Sequence, residues 1–208
     1  GMLQINPIPT QEDDKKFYDQ NRQAKNIGKR TDVEYLKNAD SWDTTRRADH
    51  IAGRFPKSAR ILDIGSGYGF FLAEMSQRGY SITGIEISQE RRTTAKTITT
   101  APIFDSNLLD DSPELGLFDV ITMFHVVEHI SNPIGLCEIA WKYLTENGSL
   151  VIEVPNSQDL MLEASSSYRS FWWQRAHIGY YDPDLLRRVL VKAGYPTVEI
   201  VGQQRFGL

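Results

Sequence analysis

The sequence predicts an α/β protein in which helices lie on both faces of a mostly parallel, doubly wound sheet. Short apolar runs alternate with helix-forming segments through residues 58–156, as they do in β-α-β units. Three glycines follow the first run directly, at Gly65, Gly67 and Gly69, and a second run ends on an acid, Glu86. A strand, a glycine turn and a helix in succession let the backbone approach a ligand closely.

Length and composition restrict the class of protein. At 208 residues, with 40% hydrophobic and 24% charged residues, the chain fits one globular domain. The net charge of −4 gives no support for a nucleic-acid surface, and no apolar run reaches transmembrane length. The only cysteine, Cys137, excludes an internal disulfide and a zinc site built from several cysteines. We therefore expect a cytoplasmic protein, either a monomer or a homodimer.

We expect residues 1–208 to form a single domain with four parts. The parts are an N-terminal helical cover at 2–57, a core at 58–156, an insertion or lid at 157–181, and a C-terminal helix and strand at 182–208. Within the cover, apolar residues spaced among charges predict a short helix at 12–20 and a pair of helices within 32–54. The pair is expected to lie over the ligand-binding edge of the sheet.

The core elements follow from apolar patterning, helix caps and turn residues. Predicted strands occupy 61–64, 81–87, 103–104, 117–124 and 149–154. Ser88 is expected to cap a helix that reaches about Ile98, and Pro133 to begin an amphipathic helix. Asn147 and Gly148 are expected to turn the chain into the fifth strand.

The C-terminal part repeats the pattern. Asp182 and Pro183 are expected to start a helix that Gly194 ends. The apolar run at 197–201 predicts a sixth strand. Only 203–208 remain for a seventh strand, which is antiparallel in folds of this kind, so that strand is very short or the sequence is truncated.

The glycine spacing separates two kinds of nucleotide site. A dinucleotide fingerprint needs G-x-G-x-x-G, and its third glycine would fall at Phe70, which disfavours a nicotinamide oxidoreductase. The sequence has G-x-G-x-G instead, with an acid, Asp63, just before it. Glu86 lies 21 positions after Gly65, which suits a carboxylate at a strand tip that accepts hydrogen bonds from both ribose hydroxyls of an adenosine.

The segment after the fourth strand allows two interpretations. His125-x-x-Glu128-His129 matches in form the H-x-x-E-H pattern of zinc proteases. That chemistry needs the motif on a helix, whereas here it follows a buried strand and Pro133 comes four residues after His129. We favour a ligand-binding turn. A magnesium-type site at His125, Glu128 and His129 stays open, but imidazole is a poor ligand for hard cations, so no metal is predicted.

Three segments together resemble a known family. They are Asp63-x-Gly65-x-Gly67-x-Gly69, then Glu128-His129 followed by Asn132-Pro133, and finally L-x-x-x-G-x-h-h-h-E-h-P-N from Leu144 to Asn156, where h is apolar. Over residues 58–156 the chain resembles the class I S-adenosylmethionine-dependent methyltransferases, in particular the small-molecule group of the ubiquinone O-methyltransferases. The resemblance implies a Rossmann-like sheet, S-adenosylmethionine as cofactor and S-adenosylhomocysteine as product.

The resemblance also implies site residues and a reaction. The expected cofactor-binding residues are Asp63, Gly65, Gly67, Tyr68, Gly69, Glu86, Asp105, Asn107, Phe124 and His125. Asp105 and Asn107 are alternatives for the hydrogen bond to the adenine amino group. The expected reaction is methyl transfer to an oxygen or carbon of a small-molecule acceptor, because no Asn-Pro-Pro-Tyr-like motif of amino-group methyltransferases follows the fourth strand. The alternative is a non-catalytic module that binds a nucleoside or a partner protein.

The aromatic-rich insertion supplies the candidate catalytic residue. His177 lies in this segment, which is expected to close over the acceptor, and its ordinary pKa near neutrality suits a general base. The other interpretation is a histidine that only packs in the insertion. His125 is a competing base, although we expect its backbone, not its ring, to face the methionine part of the cofactor.

Overall fold

The computed structural model of the chain describes residues 3–4, 32–172 and 177–203. The strands are β1 (Leu3–Gln4), β2 (Arg60–Ile64), β3 (Ser81–Ile85), β4 (Ile103–Phe104), β5 (Phe118–Phe124), β6 (Leu144–Glu153) and β7 (Gly179–Tyr180). The helices are α1 (Val33–Ala52), α2 (Phe70–Gln77), α3 (Gln89–Ala95), α4 (Pro133–Lys142), α5 (Met161–Ala164), α6 (Ser166–Trp172) and α7 (Pro183–Lys192), with a 3-10 turn at Val127–His129.

The main sheet contains five parallel strands in the order β4-β3-β2-β5-β6. The chain builds outward from β2 to β4 on one side and then from β5 to β6 on the other. The order therefore reverses between β2 and β5, and ligands of open α/β sheets bind beyond the carboxyl ends of the strands at such a point. The predicted doubly wound parallel sheet is confirmed.

Alternating side chains of the strands supply two hydrophobic cores. Leu62 and Ile64 of β2 belong to the core that includes residues of α4 and α7. Ile61, which precedes Leu62 and points to the other face, belongs to the core that includes residues of α1 and α2. Successive strand residues point to opposite faces, so both faces of the sheet are covered by helices.

Polar caps begin four of the helices, and at the start of α1 the cap is Asp32, which accepts from the N–H of Tyr35. Ser88, Asn132 and Asp182 accept hydrogen bonds from the backbone N–H groups of Arg91, Gly135 and Leu185. Each bond satisfies a donor that the helix itself leaves unpaired. The predicted starts at Ser88 and Asp182 are confirmed, although α3 ends at Ala95, three residues earlier than expected.

The pair of helices predicted within 32–54 is wrong, because one 20-residue helix, α1, occupies this segment. Its buried face includes Asp43, Thr44 and Arg47 beside Ala48 and Ile51. Polar residues on the buried face weaken the apolar periodicity from which helices are predicted. The sequence pattern therefore underestimated the length of α1.

Two further predictions in the core and the C-terminal part are wrong. Asn147 and Gly148 lie inside β6, which pairs with β5 at Leu144 and again from Ser149 onward. Between these pairs β5 advances two residues and β6 five, so the expected turn is an irregularity of one long strand. Residues 197–201 form no strand, and the Val198 carbonyl accepts a hydrogen bond from Arg187 of α7 instead.

Some predictions fall on residues that the structure does not describe. The helix expected at 12–20 lies there, as do all but the first residue of the seventh strand expected at 203–208. Within the described ranges, no helix is both long enough and apolar enough to cross a membrane.

Candidate functional site

The glycine turn after β2 holds its shape through left-handed backbone angles. Gly65 and Gly67 have φ values of +76° and +56°, a region that side chains disfavour. A Cβ on Gly65 would lie 2.5 Å from a methyl carbon of Val126, so that glycine is required by close packing. A Cβ on Gly67 would meet nothing nearer than the Gly65 carbonyl at 4.0 Å. The turn is therefore closed on the Gly65 side and open on the Gly67 side, where a ligand can approach.

Glu86 links the tip of β3 to this turn. The residue is 4% exposed, and its carboxylate accepts hydrogen bonds from the N–H of Gly67 at 2.9 Å and the N–H of Ser88 at 2.8 Å. Each oxygen thereby uses one of its lone pairs, and each retains another. The carboxylate is thus fixed beside the open side of the turn, with acceptor capacity left for two hydroxyl groups.

Asp63 lies inside the sheet below the turn. It is 3% exposed, and its Oδ1 accepts a hydrogen bond of 2.6 Å from the hydroxyl of Thr122 on β5. Burial raises the pKa of Asp63 to about 7, although the Thr122 hydrogen bond and the charge of Arg47 act in the opposite direction. The residue therefore connects β2 to β5 from within.

The residues after β4 differ in their surroundings. Arg92 donates to the Glu86 carbonyl at 2.7 Å and to the Asp105 carboxylate at 2.6 Å, so it joins Asp105 to the tip of β3. The side chain of Asn107 instead bonds within its own loop, to Asp110 and to the N–H of Leu109. Of the two alternatives for the adenine contact, Asp105 is the one connected to Glu86.

Two aromatic residues lie at the carboxyl ends of β2 and β5, beside the crevice in which ligands of such sheets bind. Tyr68, in the glycine turn, lies 5.8 Å below the guanidinium of Arg91. Phe124, at the end of β5, meets the ring of Phe71 edge-on at 5.0 Å and carries the Arg47 guanidinium 4.9 Å above its face. Each ring has an arginine over its face.

His125 occupies a strained position at the end of β5. Among the described residues it alone, apart from glycines, has a positive φ, at 56°. Its Nδ1 lies 3.0 Å from Glu128 Oε1 and its Nε2 lies 3.3 Å from Glu153 Oε1. Burial alone would lower the pKa of His125, but hydrogen bonds to these two carboxylates outweigh burial and raise the pKa to about 9. The ring is an imidazolium held between two acids.

Glu153, at the end of β6, joins His125 to the N-terminal helix α1. Arg46 and Arg47 each donate to one of its oxygens at 2.7 Å. Burial opposes the charge of Glu153, yet hydrogen bonds from His125 and Arg47 lower its pKa. The two arginines were not predicted, because adjacent basic residues in a polar segment give no pattern that distinguishes them from a solvated surface.

His177 is buried in the insertion beside the turn after β5. It is 8% exposed, its Nδ1 lies 3.0 Å from the Trp172 carbonyl, and its ring centre lies 5.1 Å from that of His129. Burial, and then the charge of His129, lower its pKa to about 4. The neighbouring Ile178 N–H donates to the Glu128 carbonyl at 2.8 Å, so the insertion is joined directly to this turn.

Of the motif His125-x-x-Glu128-His129, only Glu128 and His129 lie on the 3-10 turn, and His125 lies between that turn and β5. His125 turns toward Glu153, while Glu128 and His129 face His177. One donor atom from each of Glu128, His129 and His177 lies within 4.8 Å of the others. The sequence analysis considered His125 together with Glu128 and His129. It did not consider His177, because only the fold of the insertion brings His177 close to the other two.

Comparison with known proteins identifies a family match over most of the chain. The family model described as a methyltransferase domain matches residues 37–200. The ubiquinone biosynthesis O-methyltransferase of Psychrobacter arcticus is 24% identical over 161 residues, which cover 69% of this chain and 61% of the relative. That of Caulobacter sp. strain K31 is 30% identical over 113 residues, covering 50% and 44%. The chain therefore spans less than two thirds of the length of these curated relatives.

Solved structures share the fold at low identity. A SAM-dependent methyltransferase from Archaeoglobus fulgidus matches with a TM-score of 0.64 and 22% identity, over 78% of this chain and 74% of that one. The plantazolicin methyltransferase BpumL, in complex with a pentazolic desmethylPZN analog and SAH, matches with a TM-score of 0.60 and 21% identity, over 90% and 79%. At these identities the likeness establishes the fold.

The first prediction concerns Glu86. We expect Glu86→Ala to weaken binding of S-adenosylhomocysteine about tenfold or more, because hydrogen bonds to a charged group contribute roughly 1.5–3 kcal/mol. Isothermal titration calorimetry measures the change. Glu146→Ala, an exposed acid near the amino end of β6, is the control and should bind normally. Normal affinity in a folded Glu86→Ala protein would remove Glu86 from the binding site.

The second prediction concerns the charge of His125. With its pKa raised from 6.5 to about 9, the folded chain keeps a proton that the unfolded chain releases in this window. The contribution to the free energy of unfolding is complete below about pH 6.5 and is lost as the pH rises to about 9. Solvent reduces the effect, because 38% of the side chain is exposed.

Denaturant unfolding across this pH window tests the charge. The comparison variant is His125→Asn, since asparagine tolerates the left-handed backbone but carries no titrating ring. We expect stability to fall with rising pH more steeply in the unmodified chain than in the variant. Parallel pH profiles would show that His125 is not ion-paired in solution.

Proposed function

The chain belongs to the methyltransferase-domain family, and we propose that it transfers a methyl group from S-adenosylmethionine to an oxygen or carbon of a small molecule. The observation that supports this most is the Glu86 carboxylate, which is buried at a strand tip against the open side of the glycine turn. A nucleoside carries the two adjacent hydroxyls that such a carboxylate accepts. S-adenosylhomocysteine is the expected second product.

The residues around the turn fit the proposed cofactor. The open side of Gly67 leaves room that a Cβ would occupy, and Glu86 has acceptor capacity for the ribose. Asp105, joined to Glu86 through Arg92, is our first choice for the adenine amino group, with Asn107 as the second. The backbone of Phe124 and His125 is assigned to the methionine part. Asp63, Gly65, Tyr68 and Gly69 complete the proposed site.

When bound, the cofactor supplies a methyl group that is already electrophilic. The chain's own task is then to align the acceptor, exclude water and take up the proton that the acceptor loses. Glu86 and the glycine turn fix one side of the crevice, and α1 is held over the end of β6 by Arg46 and Arg47. The insertion closes the part of the crevice next to the turn after β5, through the Ile178 to Glu128 hydrogen bond.

The relatives favour an oxygen acceptor, since the two curated ones described above are O-methyltransferases. A structure with a similar fold is a sugar N-methyltransferase from Streptoalloteichus, so the fold itself does not select the acceptor atom. The proposal includes a single domain over residues 1–208, as a monomer or homodimer. It also includes a cytoplasmic location, which the single, buried and unpaired Cys137 supports.

Turnover to S-adenosylhomocysteine on a panel of small-molecule acceptors tests the proposal. We expect product with at least one hydroxyl-bearing or carbon acceptor, and none with Gly67→Val, whose side chain would fill the open side of the turn. Gly79→Val is the matched control, because Gly79 also has a positive φ and open space but lies after α2. Tight cofactor binding without turnover on any acceptor would favour the non-catalytic binding module.

His177 is our proposed general base, and its variant gives a separate prediction. We expect His177→Ala to lower the methyl-transfer rate about a hundredfold or more while cofactor affinity stays unchanged. The structure supplies a neutral ring, since burial lowers the pKa of His177 to about 4, and one ring nitrogen then keeps a lone pair. His50→Ala on α1 is the control. Near-normal turnover by His177→Ala would eliminate the base role.

A further inference from the structure

Arg92 on α3 connects the ends of two neighbouring parallel strands. One terminal nitrogen, Nη1, donates to the backbone carbonyl of Glu86 at 2.7 Å, and the other, Nη2, donates to Asp105 Oδ2 at 2.6 Å. Glu86 directly follows β3 and Asp105 directly follows β4, which pairs with β3. The guanidinium is planar and presents its donors in a rigid fork, so it fixes the position of one strand end relative to the other.

The side chain of Asp105 depends on this arginine for its orientation. It is 67% exposed, whereas the Arg92 side chain is 14% exposed. Within the part of the chain that the structure describes, Arg92 is the only group bonded to the Asp105 carboxylate, so Oδ1 keeps its full acceptor capacity. An ion pair with so exposed a partner adds little to the free energy of unfolding. The pair therefore matters for the direction in which Oδ1 points, not for stability.

Glu86 is held at each of its polar groups. Its two carboxylate oxygens accept from the N–H groups of Gly67 and Ser88. Its own N–H donates to the Phe104 carbonyl at 3.1 Å, and its carbonyl accepts from Arg92. The guanidinium is thus bonded to a fixed residue on one side. Through it, Asp105 is held in place relative to the carboxylate that we assign to the ribose.

A carboxylate oxygen that is held in one direction distinguishes between purine bases. Adenine carries an exocyclic amino group, which donates hydrogen bonds, whereas hypoxanthine carries a carbonyl oxygen at that position, which only accepts. The fixed acceptor pairs with adenine, but with hypoxanthine two acceptors face each other. A site built to receive a donor rejects an analogue that lacks it, because polar groups are then left unpaired.

We propose that Arg92 is the positioning residue through which the site selects adenine, because it holds Asp105 Oδ1 toward the exocyclic amino group of the base. The inference rests on the proposed function, which supplies the cofactor and the adenine contact of Asp105. Without Arg92, the exposed Asp105 side chain is free to change rotamer, and ordering it on binding costs affinity. That cost falls on the ligand whose base bonds to Asp105.

Calorimetry with S-adenosylhomocysteine and with S-inosylhomocysteine, its analogue with hypoxanthine in place of adenine, measures the selectivity. We expect the unmodified chain to bind the adenine ligand about tenfold or more tightly than the hypoxanthine ligand. Arg92→Met should remove most of this ratio by weakening the adenine ligand, with little change for the other. Arg187→Met is the matched control, because Arg187 also donates from a helix to a backbone carbonyl, that of Val198, but lies on α7.

Two further variants separate positioning from a general structural effect. Arg92→Lys keeps the charge without the fork and should recover part of the ratio that Arg92→Met loses. In an Asp105→Ala chain, Arg92→Met should change the ratio no further, because its effect passes through Asp105. Thermal unfolding checks that each variant is folded. If Arg92→Met does not fold, Arg92→Lys decides, since its ratio should still be lower than that of the unmodified chain.

Equal loss of affinity for both ligands in Arg92→Met, or an unchanged ratio, overturns the inference and leaves the proposed cofactor standing. An unchanged ratio is also the result expected if Asn107, and not Asp105, contacts the base. Equal binding of the two ligands by the unmodified chain would overturn the inference as well. Failure of the unmodified chain to bind S-adenosylhomocysteine is a different result, since it overturns the proposed cofactor and the inference with it.

Discussion

The arrangement of the crevice depends on the Glu153 carboxylate, which three cations share. Arg46 and Arg47 approach from α1, and His125 approaches from the end of β5. Removal of one partner from a buried ion pair costs roughly 3–5 kcal/mol, and a smaller cost is expected here because 25% of the Glu153 side chain is exposed. The pairing nevertheless fixes which helix covers the sheet and how His125 is turned. An apolar contact at the same place would not select one geometry so strictly.

A parallel sheet explains why so many polar groups meet at this edge. Glu86, His125 and Glu153 each lie at or just beyond the carboxyl end of a strand. Parallel strands end together there, and the loops that follow expose N–H groups that no sheet bond uses. Glu86 satisfies two of these groups, those of Gly67 and Ser88. An acid is therefore needed at this end of the sheet to satisfy the N–H groups. The same position places its carboxylate within reach of a ligand hydroxyl.

The features that the sequence predicted depend on interactions between neighbouring residues. The features that it failed to predict depend on contacts between residues far apart in the sequence. The glycine turn, the five strands of the main sheet and the capped starts at Ser88 and Asp182 depend on neighbouring residues, and local patterns predicted them. The single helix α1 was missed because polar residues occupy its buried face, and one of them, Arg47, binds Glu153, 106 positions away. The strand expected at 197–201 was a wrong prediction, because the Val198 carbonyl accepts a hydrogen bond from Arg187 and not from a neighbouring strand. Apolar runs alone do not show whether a strand has a partner.

The insertion presents the clearest physical conflict within the site. A general base is most effective when its pKa is close to the working pH, and burial holds the pKa of His177 near 4. Such a ring is almost entirely neutral at pH 7, so Nε2 is free to accept a proton but accepts it weakly. The Trp172 carbonyl fixes the tautomer, with the hydrogen on Nδ1. The buried environment of His177 therefore weakens it as a base, and efficient proton transfer through this ring requires that acceptor binding bring it closer to water.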